Sequence, residues 1–240
     1  DKMRAAKGIP STAAITPIQF CEKYCQYVDE GYTDVIHVPI NRSGSSTYNN
    51  AVMAQGMLRE ERPEHHLNIH LLDPHTYSMV FGWYLCEMAR KLQNGAELRH
   101  VISEFETQMN KMEVILGPYS LKQMKKSGRI SAAAAVMGEL MGIRPIITLI
   151  DGKTRVESKV RGDDKVIPAM IDLCKKRTEG VEDFDYMIGH TSIPQAVELE
   201  KACRKAFGKA PLTTFDLGGV VSANTGPDTL ALVYVGKARD

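Results

Sequence analysis

The segment from Asp34 to Leu58 constrains this chain more than any other. Asp34-Val35-Ile36-His37-Val38-Pro39-Ile40 is an apolar run that reads as a buried strand. It passes through Asn41-Arg42-Ser43-Gly44-Ser45-Ser46-Thr47-Tyr48 into Asn49–Leu58, which reads as a helix. Strand, hydroxyl-rich turn and helix N-terminus bring free N–H groups and hydroxyl donors to one point, with the positive end of the helix dipole behind them. The C-terminal end of a strand is also where open α/β sheets bind ligands. The stretch is therefore a candidate anion site, for a carboxylate or a phosphate alike. A helix cap needs one hydroxyl. Four hydroxyls, a glycine and an arginine within Arg42–Thr47 favour a binding turn over simple capping.

The flanking pattern extends this unit. Phe20, Tyr24, Tyr27 and Val28 recur at helical spacing over Pro17–Glu30, with proline in the first turn. Leu67–Leu72 reads as a second strand, and Tyr77–Gln93 and Leu98–Asn110 as helices. This alternation predicts a parallel α/β domain over residues 1–112. The pattern then changes. Strands are expected at Glu113–Leu116, Pro145–Ile150, Thr154–Arg161, Tyr186–Ile188, Phe215–Val221 and Leu230–Val235, with a hairpin at Asp151-Gly152. Helices are expected at Leu121–Lys126, Ile130–Met141, Val166–Arg177 and Pro194–Phe207. Residues 113–240 thus read as a second, α+β domain with a mainly antiparallel six-stranded sheet.

Composition excludes several classes. A formal net charge of +1 gives no electrostatic case for nucleic acid or anionic membrane as the main partner. No apolar run approaches the ~20 residues that span a bilayer. The five cysteines are scattered. Cys21 and Cys25 lie one helical turn apart, which suits core packing better than a zinc clip, and the usage fits a reduced, cytoplasmic protein. Neither phosphate-binding glycine signature nor an esterase nucleophile elbow is present. His65, His66, His70 and His75 invite a metal reading. The strand between them keeps His66 and His70 from sharing a helical face, so surface or satisfied histidines are expected.

Three further stretches stand out: Ser11-Thr12 before the Pro17 helix, Lys125-Lys126-Ser127-Gly128-Arg129-Ile130-Ser131, and the polar turn Asn224-Thr225-Gly226-Pro227-Asp228-Thr229. Each alone is explained by caps and turns. Their order and spacing nevertheless resemble those of the DegV family of bacterial lipid-binding proteins over nearly the whole length. The family's Thr-Ser-x-Pro-Ser-Pro…Phe corresponds to Thr12-Ala13-Ala14-Ile15-Thr16-Pro17…Phe20. Its Ser-Ser-Gly-Leu-Ser-Gly-Thr-Tyr corresponds to Asn41–Tyr48, its Lys-x-Gly-Gly-Arg-Ile-Ser to Lys126–Ser131, and its His-x-Gly-Pro-Gly to Asn224–Asp228. Pro145-Ile146, Asp151-Gly152 and Arg161 match its hairpin.

The resemblance implies a two-domain protein holding a long-chain fatty acid between its domains. It carries no cofactor, no metal and no catalytic residue of its own. In the best-understood members the protein is the carrier subunit of a fatty acid kinase and presents the carboxylate to a separate ATP-binding subunit. Carried over, the carboxylate would meet Thr12, Arg42, Ser43, Ser45, Ser46, Thr47, Asn224 and Thr225. Arg129 would brace the site and Arg161 would face the kinase subunit. Ala132, Ala135, Val136, Met137, Leu140 and Met141 would line the acyl tunnel. The departures are Asn41-Arg42 for a serine pair, Asn224 for a histidine and Asp228 for a glycine. An asparagine cannot shuttle a proton near neutral pH, which bears on coupling to a kinase and not on lipid binding. The family's first strand and its Asp-Ser pair have no counterpart, so the numbering is expected to begin inside a longer polypeptide. The competing readings are an enzyme acting alone on a small phosphorylated or carboxylated metabolite, and a ligand-dependent sensor.

Overall fold

The computed structural model describes residues 3, 8, 10–128 and 142–238. Compactness divides the chain into Ala13–Tyr77 on one side and Asp1–Thr12 with Ser78–Asp240 on the other. The helix expected at Ile130–Met141, with Arg129, Ala132, Ala135, Val136, Met137, Leu140 and Met141, lies outside the described residues.

The smaller unit holds α1 (Pro17–Asp29), β1 (Asp34–His37), α2 (Thr47–Glu61) and β2 (Asn68–Leu71). A reciprocal cap starts α1: Thr16 Oγ1 accepts from the Gln19 N–H at 3.3 Å, and Gln19 Oε1 accepts from the Thr16 N–H at 3.0 Å. Pro17 follows in the first turn, where its missing N–H costs nothing. Strands β1 and β2 pair in parallel, Asp34 opposite Asn68 through His37 opposite Leu71. Phe20, Cys21, Tyr24 and Cys25 of α1 pack with Ala51, Ala54 and Leu58 of α2, where the two alanines let the helices approach closely. The Tyr24 hydroxyl lies 2.6 Å from His37 Nδ1, tying α1 to the end of β1.

The larger unit begins with α3 (Met79–Gln93) and α4 (Leu98–Met109), followed by the six-stranded sheet. Its strands are β3 (Met112–Pro118), β4 (Ile143–Ile150), β5 (Lys153–Arg161), β6 (Tyr186–His190), β7 (Thr214–Asp216) and β8 (Thr229–Val235), in the order β5-β4-β3-β8-β6-β7. Every ladder is antiparallel except β6–β7. Among the described residues the unit also holds helices α5 (Lys122–Ser127), α6 (Val166–Arg177), α7 (Gln195–Phe207) and α8 (Gly218–Thr225). The sheet begins at Met112, and compactness groups α3 and α4 with it.

Every residue of β3 is buried, as a central strand covered on both faces requires. Ile115 of β3 and Leu230, Leu232 and Tyr234 of β8 face α6 and α7 through Met170, Cys174, Leu199 and Cys203. Strand β5 is one edge of the sheet, and it carries Lys153, Arg155, Glu157, Lys159 and Arg161 at alternate positions, a charge pattern that discourages edge-to-edge pairing. The β4–β5 turn places Asp151 at φ 49° and Gly152 at φ 72°, the doubly positive pair of a tight hairpin.

Two elements among the described residues depart from the sequence reading: β1, expected as a buried strand through Ile40, ends at His37 and is only half-buried, and the second lies after β6. The strand expected at Phe215–Val221 stops at Asp216, and Gly218–Thr225 is helical. The Leu217 N–H donates to His190 O at the end of β6, and Gly218 at φ 76° then turns the chain away from the sheet. The β-branched Val220-Val221 pair reads as strand by propensity, but helix α8 buries Ala223 and Thr225 instead.

Glu113 anchors the buried sheet. It is 6% exposed and accepts from Arg177 Nη2 at 3.1 Å, from Arg177 Nε and from the Tyr234 hydroxyl. Burial and this carboxylate push the Tyr234 phenol well above its usual range. Removing the carboxylate leaves a guanidinium and a fully buried phenol unpaired. Glu113→Ala is therefore expected to destabilise the protein by roughly 3 kcal/mol, measured as a fall in the urea unfolding midpoint; an unchanged midpoint would show that the ion pair carries little.

Candidate ligand-binding turn

The turn between β1 and α2 is held from beneath by a single buried residue. Asn41 is 0% exposed. Its N–H donates to Thr76 O at 3.1 Å, its O accepts from the Gly44 N–H at 3.2 Å, its Oδ1 accepts from the Ser43 N–H at 3.0 Å, and its Nδ2 donates to the Tyr77 hydroxyl at 3.2 Å. The chain leaving β1 is thereby tied to the chain leaving β2, at the shared C-terminal ends of the two parallel strands. Gly44 is required by this closeness, because a Cβ there would lie 1.8 Å from the Tyr77 hydroxyl. Burial and the nearby Asp73 raise the Tyr77 phenol, only partly offset by the bond from Asn41. The phenol accepts from Asn41, so its own proton is left to donate.

Above this base stand the hydroxyls. Ser45 Oγ and Thr47 Oγ1 meet at 2.7 Å, and the Thr47 N–H donates to Ser45 Oγ at 3.2 Å. Thr47 is buried, Ser45 half-buried, and Ser43 and Ser46 exposed. Ser46 occupies the N-cap position of α2, yet its side chain caps no N–H. The first N–H groups of a helix have no intrahelical partner, so this N-terminus retains donors beside two partly shielded hydroxyls.

The loop after β2 adds groups that the sequence reading passed over. Asp73 Oδ1 accepts from the His75 N–H at 2.9 Å and from the Arg42 N–H at 3.4 Å. Thr76 is 4% exposed, and its Oγ1 is buried without a hydrogen-bond partner among the described residues. His75 has φ 55°, a strained value for a residue with a side chain. The rule that pointed to the end of the first strand points equally to the end of its parallel neighbour, and Asp73–Tyr77 was legible on that ground.

The remaining sequence-predicted residues divide as follows. Arg42 is exposed, its guanidinium carbon 5.3 Å from the centre of the Tyr48 ring. Thr12 is half-buried and precedes the smaller unit. Asn224 and Thr225 lie on helix α8 and not in a turn between strands, which corrects their expected local structure. Asn224 Nδ2 donates to Val220 O at 2.8 Å within that helix. The Ser127 hydroxyl bonds to Asn224 O at 3.2 Å, and Gln123 Nε2 donates to Ala223 O, so α5 and α8 are joined here. Arg161 ends the exposed edge strand β5. The structure brings Ser43, Ser45, Ser46 and Thr47 together on one turn, and Asn224 and Thr225 on one helix.

The family model described as "Uncharacterised protein, DegV family" matches residues 1–237. A DegV domain-containing protein of Staphylococcus aureus (strain COL) is 29% identical over 245 residues, spanning 99% of this chain and 81% of its own length. Another, from Clostridium perfringens (strain 13 / Type A), is 28% identical over 240 residues, spanning 98% and 81%. Among solved structures, a fat acid (stearic acid)-binding protein from Eubacterium ventriosum superposes with a TM-score of 0.87 at 20% identity, over 99% of this chain and 82% of that one. A fatty acid binding DegV family protein from Streptococcus agalactiae does so with a TM-score of 0.84 at 26% identity, over 98% and 82%. With a family match over residues 1–237, the chain belongs to the DegV family.

Proposed function

We propose that this protein binds a long-chain fatty acid and serves as a non-catalytic carrier of it. The observation that carries the reading is the paired Ser45 and Thr47 hydroxyls at the N-terminus of α2, in a chain whose relative from Streptococcus agalactiae is described as fatty acid binding. A carboxylate is costly to bury unless donors satisfy it. The Ser45–Thr47 pair, whose mutual bond uses one hydroxyl proton and leaves the other to donate, the helix N-terminus, the Tyr77 proton and the unpartnered Thr76 hydroxyl can supply those bonds. Thr12, Ser43, Ser46, Asn224 and Thr225 are assigned to the same role. The turn suits a singly charged head group better than a phosphate dianion. The side chain of Asp73 is only 10% exposed and stands against the same backbone, while Arg42 lies over Tyr48.

Ala132, Ala135, Val136, Met137 and Leu140 are assigned to the acyl tunnel and Arg129 to bracing the site. The reading extends to presentation of the carboxylate to a separate ATP-binding kinase subunit, with Arg161, exposed on the edge strand β5, facing that partner. Among the described residues no helix is long and apolar enough to cross a membrane. The working compartment in this reading is the cytoplasm.

The direct test is mass spectrometry of lipid extracted under denaturing conditions from protein purified from a bacterial host. About one fatty acid per chain is expected. No bound lipid, even after incubation with a fatty-acid mixture, would transfer the turn to a small-molecule anion. Turnover of such a molecule by the isolated chain would establish a stand-alone enzyme. Hydrogen bonds to charged groups contribute about 1.5–3 kcal/mol each. The double variant Ser45→Ala, Thr47→Ala is therefore expected to weaken fatty-acid binding at least about tenfold, read by titration with a fluorescent fatty acid. Gly44→Ala is expected to displace the Tyr77 hydroxyl and break its bond with Asn41. It should lower affinity and destabilise the smaller unit by roughly 1–3 kcal/mol; wild-type affinity in this variant would show that Tyr77 is not needed.

A further inference from the structure

The structure places a third side chain beside the two cysteines of α1. Cys21 and Cys25 lie four residues apart on one face of that helix, and Glu61 is the last residue of α2. One ligand atom from each, two Sγ and a carboxylate oxygen, all lie within 4.8 Å of one another. Cys25 Sγ is 3.6 Å from Glu61 Oε2. A tetrahedral ion with metal–sulfur bonds of about 2.3 Å and a metal–oxygen bond of about 2.1 Å sets its ligand atoms roughly 3.5–3.8 Å apart. The triangle therefore needs only side-chain adjustment to close on an ion. Both thiols are free, Cys21 at 1% and Cys25 at 9% exposure, so two ligands are shielded while Glu61 stands at the surface.

We infer that Cys21, Cys25 and Glu61 form a binding site for a thiophilic divalent cation of the zinc class, with a fourth position left to water. The donor set selects the class: two sulfurs suit zinc and cadmium and are poor ligands for magnesium and calcium, which take oxygen. The neighbouring cation Arg62 is paired with Asp29 at 3.6 Å, so its charge is offset at the rim of the site. An ion held here joins α1 to α2 at the end of α2 remote from the Ser45–Thr47 turn. The site rests on these two helices alone and stands or falls independently of the fatty-acid reading.

The test uses the full chain, reduced and stripped with a chelator, carrying Cys86→Ser to remove the exposed thiol. Cadmium is titrated and followed by the thiolate-to-metal charge-transfer absorbance. Zinc is titrated in competition with a chromophoric chelator. One ion per chain is expected, with the absorbance lost in Cys21→Ser and in Cys25→Ser. Glu61→Gln changes a surface group and leaves the core intact. It is expected to bind zinc at least about tenfold more weakly, a loss of about 1.4 kcal/mol, with an unchanged circular dichroism spectrum. Failure of the Cys86→Ser protein to take up either ion stoichiometrically would overturn the site. So would zinc affinity indifferent to Glu61→Gln, or cadmium absorbance that survives both cysteine substitutions.

Discussion

Asn41 has no access to solvent, and a buried amide left without partners costs about 1–3 kcal/mol for each unsatisfied group. The fold answers by surrounding it with the backbone of its own turn and with Thr76 and Tyr77 from the next loop. That requirement shapes everything above it. Gly44 must be glycine for Tyr77 to reach the amide. The turn must close tightly enough for Ser45 to meet Thr47, and α2 must begin where it does. A serine at position 41 would be shorter and could not bridge the same atoms. The Asn41-Arg42 departure from the family's serine pair therefore acts beneath the hydroxyls: it substitutes a longer brace, and Arg42 is directed over Tyr48.

The larger unit solves a different problem. Its central strands are buried on both faces, and Glu113 introduces a charge into that interior. Arg177 of α6 and Tyr234 of β8 satisfy it from a helix and from the neighbouring strand. Helix position and strand register are thus coupled through one carboxylate. A one-residue slip of β8 would move Tyr234 to the opposite face and leave Glu113 without its phenol. Specificity of register is the most direct role for such a group, because an apolar residue would serve packing equally well.

Legibility in the sequence followed the range of the interaction. The Asp151-Gly152 hairpin was legible because the residues that need positive φ are themselves the signal. The β1–turn–α2 unit was legible because apolar run, hydroxyls and helix pattern are contiguous. The segment at Val220-Val221 misled, because its β-branched residues favour a strand while Gly218 and the end of the β6–β7 ladder turn it into a helix. The place of Thr76 and Tyr77 after the second strand was legible, but their role was not, because it depends on Asn41, thirty-odd residues earlier. Cys21 and Cys25 read as core residues for the same reason: their shared carboxylate arrives from the far end of another helix. Local chemistry can be read along the chain, whereas a site assembled by packing becomes visible only with the packing.

Helix α2 brings these threads together. Its fifteen residues make a rod about 22 Å long, with a partial positive charge at the N-terminus and a partial negative charge at the C-terminus. The hydroxyl turn stands at the first end and Glu61 with the two thiols at the second. An anion at Ser45–Thr47 and a cation at Glu61 would therefore each be favoured by the same dipole, without either contacting the other. Their direct attraction is small, because the separation is more than twice the screening length of about 8 Å at physiological salt. Any influence of one on the other must pass through the rod itself, by way of the packing of Ala51, Ala54 and Leu58 against Cys21, Tyr24 and Cys25. That packing includes two of the proposed metal ligands. An ion that fixes them would hold α2 against α1, and the turn at its N-terminus would inherit the restraint. A rigid helix can thus link the two ends mechanically where electrostatics cannot.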